Sequence, residues 1–333
     1  MQKRYKRLAA LLFLLFLIAG TWHILSGKTF RTSEGQVFGT TYHICYQSSQ
    51  DLDADIRRAM TEVDEALSMF NDSSTLSAFN RGEETRRNAC FDAVVSHALE
   101  ISRITEGAFD ITVAPLVNLW GFGFKHRENV TPQAVDSIRQ FVGYRHLSYN
   151  RRQGLVRHHP HVTLDCGAIA KGYAVDHVAQ TLYKKGCRNY MVEIGGEVVI
   201  CGKNPNRDRW SIGITRPVDS STGINTQLQQ IINITDCAVA TSGNYRNFYY
   251  QGQRKVSHTI DPSTGYPVSH SLLSATVIAP SCMTADAYAT AFMVMGFERA
   301  KHFVEKDNQL KAFFIYSDSK GTLQTWQSAN FPH

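Results

Sequence analysis

Two oxygen-bearing side chains four residues apart are the first candidates for chemistry in this chain. In APSCMTADAYATAF (279–292), Asp286 and Thr290 stand at i and i+4, so on a helix both oxygens project from one face. A carboxylate and a hydroxyl on an otherwise apolar helix suit a hard cation such as magnesium, which keeps phosphate and water among its ligands. An Asp near a helix start also serves as a cap, and that is the competing explanation for Asp286. A second segment, VTLDCGAIAKGYAVD (162–176), reads as a strand ending in Asp165, a turn of small residues, and a helix beginning near Ala168. Such a helix start offers free amides and a positive dipole to a phosphate, and Lys171 in its first turn adds a charge. Asp176 reads as a surface residue. In SHTIDPSTGYPVSH (257–270), His258 precedes the Asp261-Pro262 turn and is a titratable group able to take a proton near neutral pH.

Two more segments set polar groups in apolar or glycine-rich surroundings. GAFDITVAPLVNLWGFGF (107–124) holds Asp110 in an apolar run, followed by aromatic rings among glycines that let a ligand approach the backbone. VEIGGEVVICGKNP (192–205) and AVATSGNYRNF (238–248) supply Gly195-Gly196 and Thr241-Ser242-Gly243 as tight turns with donors and hydroxyls close together. Each segment alone has an ordinary structural explanation, as a satisfied buried Asp or a plain hairpin.

Periodicity predicts the elements that hold these groups. VFGTTYHICY alternates like a strand, and Leu52, Ile56, Met60, Val63, Leu67 and Phe70 recur at helical spacing behind a capping Asp51. Further helices are expected over Asp92–Thr105, from Thr131-Pro132 to about Gly143, and from Ala168 to a stop at Gly186. Short strands are expected over Tyr144–Asn150, Gly154–His158 and Val162–Asp165. Beyond Asn189 the pattern turns to strands, ending in LLSATVIAP, the helix MTADAYATAFMVMG, a last helix and a strand over Phe313–Tyr316. Strand runs mixed with helix pairs, without β-α-β alternation, indicate an α+β architecture. Gly27-Lys28-Thr29 is not a phosphate loop, because Trp22 stands where that motif needs glycine, and there is no G-x-G-x-x-G, G-x-S-x-G, H-E-x-x-H or C-x-x-C. His158, His159 and His161 around Pro160 read as a solvated turn.

The 333 residues are 43% hydrophobic and 19% charged, which excludes a disordered tail and a polytopic membrane protein. Of the net charge of +6, four units come from Lys3, Arg4, Lys6 and Arg7 in residues 1–27, which hold no acid, leaving +2 for the rest. No nucleic-acid footprint is expected on so neutral a body. Behind those cations, residues 8–25 form an apolar run, read as an uncleaved anchor with the remainder outside the cytoplasm. Residues 28–35 are then a linker, and residues 36–333 one folded domain. Seven cysteines without close pairs read as buried apolar side chains.

The strings FGTTY, FDITVAPLVNLWGFG, LDCGAIAKGYAVD, VEIGGEV, GKNP, ATSGNYRNF, HTIDPSTGYPV and VIAPSCMTADAYATAFMVMG occur together, in order, across about residues 36–326. In this the chain resembles the ApbE-type flavin transferases, the FAD:protein FMN transferases. The resemblance implies an α+β fold, with mixed, largely antiparallel sheets and packed helices (ApbE-like, T-fold-like), preceded here by one N-terminal apolar helix. It implies FAD as donor and Mg2+ as cofactor, with FMN moved onto a threonine hydroxyl of an acceptor protein and AMP released. The expected acceptor is a membrane electron-transfer subunit, and the expected location is the periplasmic face of a bacterial inner membrane. Lipidation is not expected, since Thr21 stands where a lipobox Cys would. Carried over by residue, Asp286, Thr290 and the Ala168 carbonyl would hold the metal. Phe38, Phe70, Ala108, Phe109, Asp110, Asp165, Lys171 and Ile260 would contact FAD, and His258 would be the base that activates the acceptor hydroxyl. One departure is Phe38, where the family carries methionine before Gly-Thr. The same site also suits an Mg-dependent FAD pyrophosphatase, with water replacing threonine, or a non-catalytic FAD-binding protein.

Overall fold

The computed structural model describes residues 5, 12–18, 20, 27–84, 86–123, 130–217, 227–244, 248–251 and 254–332. The chain lays down β1 (Thr29–Val37) and β2 (Thr40–Ser48), then helices α1 (Asp53–Leu67), α2 (Thr75–Arg81) and α3 (Ala89–Ile104). A 3-10 turn, Ile111–Val113, leads into α4 (Ala114–Leu119), followed by α5 (Pro132–Arg139) and the hairpin β3 (Leu147–Asn150) and β4 (Gly154–Arg157). After α6 (Ala170–Lys184) come β5 (Tyr190–Ile194), β6 (Glu197–Cys201), β7 (Trp210–Thr215), β8 (Leu228–Ile234) and β9 (Cys237–Gly243). Next are β10 (Phe248–Gln251), β11 (Arg254–Ser257), β12 (Leu272–Ala279), α7 (Cys282–Met295), α8 (Phe297–Lys306), β13 (Lys311–Ser317) and β14 (Leu323–Gln327).

One eight-stranded sheet, in the order β1-β2-β5-β6-β9-β12-β13-β14, organises the molecule, and each neighbouring pair in it is antiparallel. This is the expected α+β class, and residues 12–18 ahead of it are helical. The period-2 pleat sends alternate side chains of β12 to opposite faces. Ala275 and Val277 join the core beneath the helices, whereas Ile278 joins a second cluster with Trp210 and Ile232 from the β7–β8 hairpin. With both faces covered, the strand is buried along nearly its whole length, which is why LLSATVIA shows no alternation of apolar and charged residues.

Helix α7 is buried almost all round, wedged between the sheet and α6. Gly172 permits that approach: a Cβ there would lie 2.4 Å from the Cys282 carbonyl oxygen. The two helices also cap one another. Asp176 on α6 accepts the Cys282 and Met283 amides, each at 2.8 Å, and Asp286 on α7 accepts the Gly172 amide at 3.0 Å. Each carboxylate thus satisfies orphan amides at its partner's N-terminus. Asp176 is an interhelical cap and not a surface residue.

Several expected boundaries move for local reasons. Asn88 accepts the Cys90 and Phe91 amides, so α3 starts three residues before Asp92. Asp51 lies one residue outside the cap of α1, where it receives the Tyr46 hydroxyl and the Asp53 amide. Residues 162–165 form no strand, because the Asn80 side chain serves both the amide and the carbonyl of Leu164 as a neighbouring strand would. Helix α5 ends at Arg139, short of Gly143. All seven cysteines are free thiols, five of them buried.

The membrane anchor expected over residues 8–25, and with it the inner-membrane location, is not borne out. Among the described residues no helix is long and apolar enough to cross a membrane.

Candidate functional site

The segments singled out above converge on one cavity of about 390 Å³ between α7, the start of α6, the ends of β6 and β9, and the loops before α4 and after β11. Ala108, Phe109, Asp110, Asp165, Ala168, Lys171, His258, Ile260, Asp286 and Thr290 all line it. Sequence separations of more than 170 residues collapse here because the sheet order interleaves early and late strands.

One wall is rich in hard oxygens. Asp286 is buried, and its Oδ2 takes the Gly172 amide. In a regular helical turn that amide would return to the Ala168 carbonyl. Its diversion to Asp286 leaves the Ala168 oxygen to other partners. Thr290 lies one helical turn beyond Asp286, and its Oγ1 is 3.1 Å from Ser242 Oγ. A carboxylate, a hydroxyl and a carbonyl are the donor types magnesium takes, so the residues present fit that ion. Among the described residues no group of three or more His, Cys, Asp or Glu is arranged to hold a metal. A cation here therefore rests on mixed oxygen donors.

Charge is concentrated beside this wall. The Lys171 ammonium lies 2.7 Å from Glu197 Oε1 and 3.9 Å from Asp286 Oδ2. Burial opposes that cation, but Asp286 and Glu197 outweigh it, and the net shift of its pKa is upward. Burial raises the Asp286 carboxyl, with Lys171 and the Gly172 amide pulling it back. Glu197 is pushed up to about 7, first by burial and then by the Asp286 charge. Its Oε2 is buried and has no hydrogen-bond partner among the described residues.

Asp110 and Asp165 line the same cavity. Asp110 Oδ1 accepts the Thr112 amide at 2.9 Å and hydroxyl at 2.7 Å, and its Oδ2 accepts the Tyr144 amide at 2.6 Å. It caps the 3-10 turn and still faces the cavity, so the structural and functional explanations of this residue coexist. Burial raises its carboxyl against those hydrogen bonds. Asp165 accepts the Gly167 amide at 2.7 Å, and its own amide donates to the Ile111 carbonyl, which ties the two acidic loops together. Burial raises Asp165 as well. His258 faces the cavity with its ring edge-on to Phe122, centroids 6.3 Å apart.

Two expected contacts are not among the cavity-lining residues. Phe38 occupies the β1–β2 turn with φ +51°, packed half-buried against the main core, and Gly39 follows at φ +72°. A two-residue hairpin loop wants both central residues left-handed, so turn geometry dictates where the Phe38 ring goes. Its neighbour Thr40 packs against Gly195 of the cavity wall. Phe70 follows α1 and is 83% exposed, whereas Met69 beside it lines the cavity. Glu197 is the residue that sequence reasoning missed. Its signal was a carboxylate directly after Gly195-Gly196, opening an otherwise apolar strand.

Comparison with known proteins agrees with this arrangement. The ApbE family pattern matches residues 38–314. The FAD:protein FMN transferase of Vibrio cholerae is 39% identical over 309 residues, covering 89% of this chain and 90% of that protein. Its namesake from Haemophilus influenzae is 35% identical over 311 residues, 89% of each. Among solved structures, the flavin transferase ApbE from Vibrio cholerae superposes with a TM-score of 0.81 at 38% identity, covering 91% of this chain and 98% of that one. The apo flavinyl transferase ApbE of Pseudomonas stutzeri gives 0.80 at 31% identity, covering 91% and 96%. With the family pattern spanning most of the chain and the fold shared nearly end to end, this chain belongs to the ApbE family of flavin transferases.

Proposed function

We propose that this FAD:protein FMN transferase moves the FMN half of FAD, as a phosphoester, onto a threonine hydroxyl of a separate acceptor protein. Transfer from FAD to a protein is the activity its relatives carry by name. The observation that carries the finer reading is the single cavity that joins Asp286, Thr290 and Ala168 to Lys171, Asp165 and His258. Asp286, Thr290 and the Ala168 carbonyl would hold magnesium. When bound, it supplies neutralisation of the diphosphate oxygens and stabilisation of the AMP that leaves. Lys171 adds a positive charge beside the same phosphates, and the apolar surfaces of Ala108, Phe109 and Ile260 exclude water from them. Phe70, exposed next to Met69, would lie over a flavin ring at the mouth.

A threonine hydroxyl is a poor nucleophile at neutral pH, so a base has to take its proton as it attacks. His258 takes that proton while the threonine oxygen bonds to the FMN phosphorus. The bond from that phosphorus to the bridging oxygen breaks, and AMP departs with that oxygen. Incubation with FAD, magnesium and a candidate acceptor should leave flavin fluorescence on the denatured acceptor. Free FMN and AMP with an unlabelled acceptor would make the chain an FAD pyrophosphatase. Stably bound FAD without AMP would make it a carrier.

A further inference from the structure

Lys171 stands at the second position of α6, close to the positive end of the helix dipole, where a cation is disfavoured. Something has to compensate for it, and two buried carboxylates lie within reach. The ammonium does not divide itself evenly: it is hydrogen-bonded to Glu197 at 2.7 Å and stands off Asp286 at 3.9 Å. Glu197 is 4% exposed and opens β6, so its carboxylate is fixed by the sheet and not by a mobile loop. Asp286 meanwhile keeps its Oδ2 on the Gly172 amide. Without Glu197, the carboxylate left to the ammonium would be Asp286, and a close pair there would compete with any cation for that oxygen.

We propose that Glu197 is a positioning residue that acts through Lys171: it tethers the ammonium away from Asp286 and so keeps that carboxylate open to the divalent cation that accompanies FAD. The inference rests on the cation reading of the site given above. It assigns a role to the second of the two buried carboxylates beside Lys171, which is neither among the oxygens that would hold magnesium nor the base. The tether also keeps Lys171 pointed into the cavity, where its side chain is one-third exposed and open to an anionic ligand.

The test is the effect of Mg2+ on FAD affinity, measured for the full chain by quenching of flavin fluorescence with and without the ion. Taking the ratio of the two affinities cancels any direct contact between Lys171 and FAD. In the unaltered protein Mg2+ should tighten FAD binding. Glu197→Gln should cut that ratio by about tenfold or more, the usual cost of losing a group that orients a metal ligand. Lys171→Met should keep the ratio at least as large as the unaltered protein's, and adding Lys171→Met to Glu197→Gln should restore it. Binding of FAD without Mg2+ reports that each variant is folded. If Mg2+ has no effect on the unaltered protein, the cation reading itself fails. If it has an effect that Glu197→Gln leaves intact, Glu197 does not position anything. If the double variant stays as low as Glu197→Gln, Glu197 touches the ion directly and the tether is wrong.

Discussion

At the scale of single residues, the cavity separates groups that hold from groups that react. Asp110 is satisfied by three hydrogen bonds of 2.6–2.9 Å, and Asp165 by one from Gly167, so both are restrained before any ligand arrives. His258 is the titratable ring on the cavity wall, and its proposed task is removal of one proton. His258→Ala should therefore lower the rate of acceptor flavinylation by about 10²–10⁴-fold, the usual contribution of a positioned base. FAD affinity should stay within a few-fold of the unaltered value, read by fluorescence quenching. A matching loss of FAD affinity would mean that His258 binds and does not act as base.

At the scale of elements, the reciprocal capping of α6 and α7 is the feature on which the site depends. Gly172 sits in the first turn of α6, and within a helix Gly→Ala normally stabilises by up to about 1 kcal/mol. Here the added Cβ would meet the Cys282 carbonyl at 2.4 Å and the Asp286 Cβ at 2.9 Å, and backbone cannot swing aside. Gly172→Ala should therefore cost about 1–3 kcal/mol in chemical denaturation, as overpacking does. Gain of stability would show that the helices part freely. Asp176 offers a second test. Burial pushes its carboxyl from 3.8 up to about 6, against the two amides it accepts. The folded state then holds that proton more tightly than the unfolded chain, so stability from this group falls as pH rises from about 4 through about 6. Relative to Asp176→Asn, the unaltered protein should lose about 2–3 kcal/mol of its advantage across that window and change little above it. Denaturation curves at several pH values check this, and an advantage that grows with pH would contradict it.

At the scale of the whole molecule, one sheet with both faces covered fixes the distance between loops that lie far apart in the chain. Among the described residues, none of the three buried clusters and none of the cavity lining draws on residues 1–27. Removing those residues should leave the melting temperature within about 2 °C and the flavinylation rate unchanged. A large drop in either would tie the leader to the folded body. Much of this architecture is legible in the sequence: the strands from Tyr190 to Gly243, the strand Leu272–Ala279, the helix closed by Gly186, and the cap at Thr131 all follow from local periodicity and turn chemistry. Residues 162–165 look like a strand in sequence but form none, because the Asn80 side chain, 84 positions from Leu164, replaces a neighbouring strand. Hydropathy alone reads the apolar run near the N-terminus as an anchor, whereas among the described residues no helix is long and apolar enough to cross a membrane.

By itself the sequence determined the family, the antiparallel α+β class and ten of the residues that line the cavity, since motifs and short-range patterns survive without coordinates. Only the tertiary structure decided that Asp176 and Asp286 cap each other's helices, that Phe38 is committed to a left-handed turn, and that Glu197 holds Lys171. Those facts depend on which backbone amide or charge faces a side chain across the packed interior. Sequence spacing carries no information about such pairings, because burial and distance arise only once the sheet has ordered its strands.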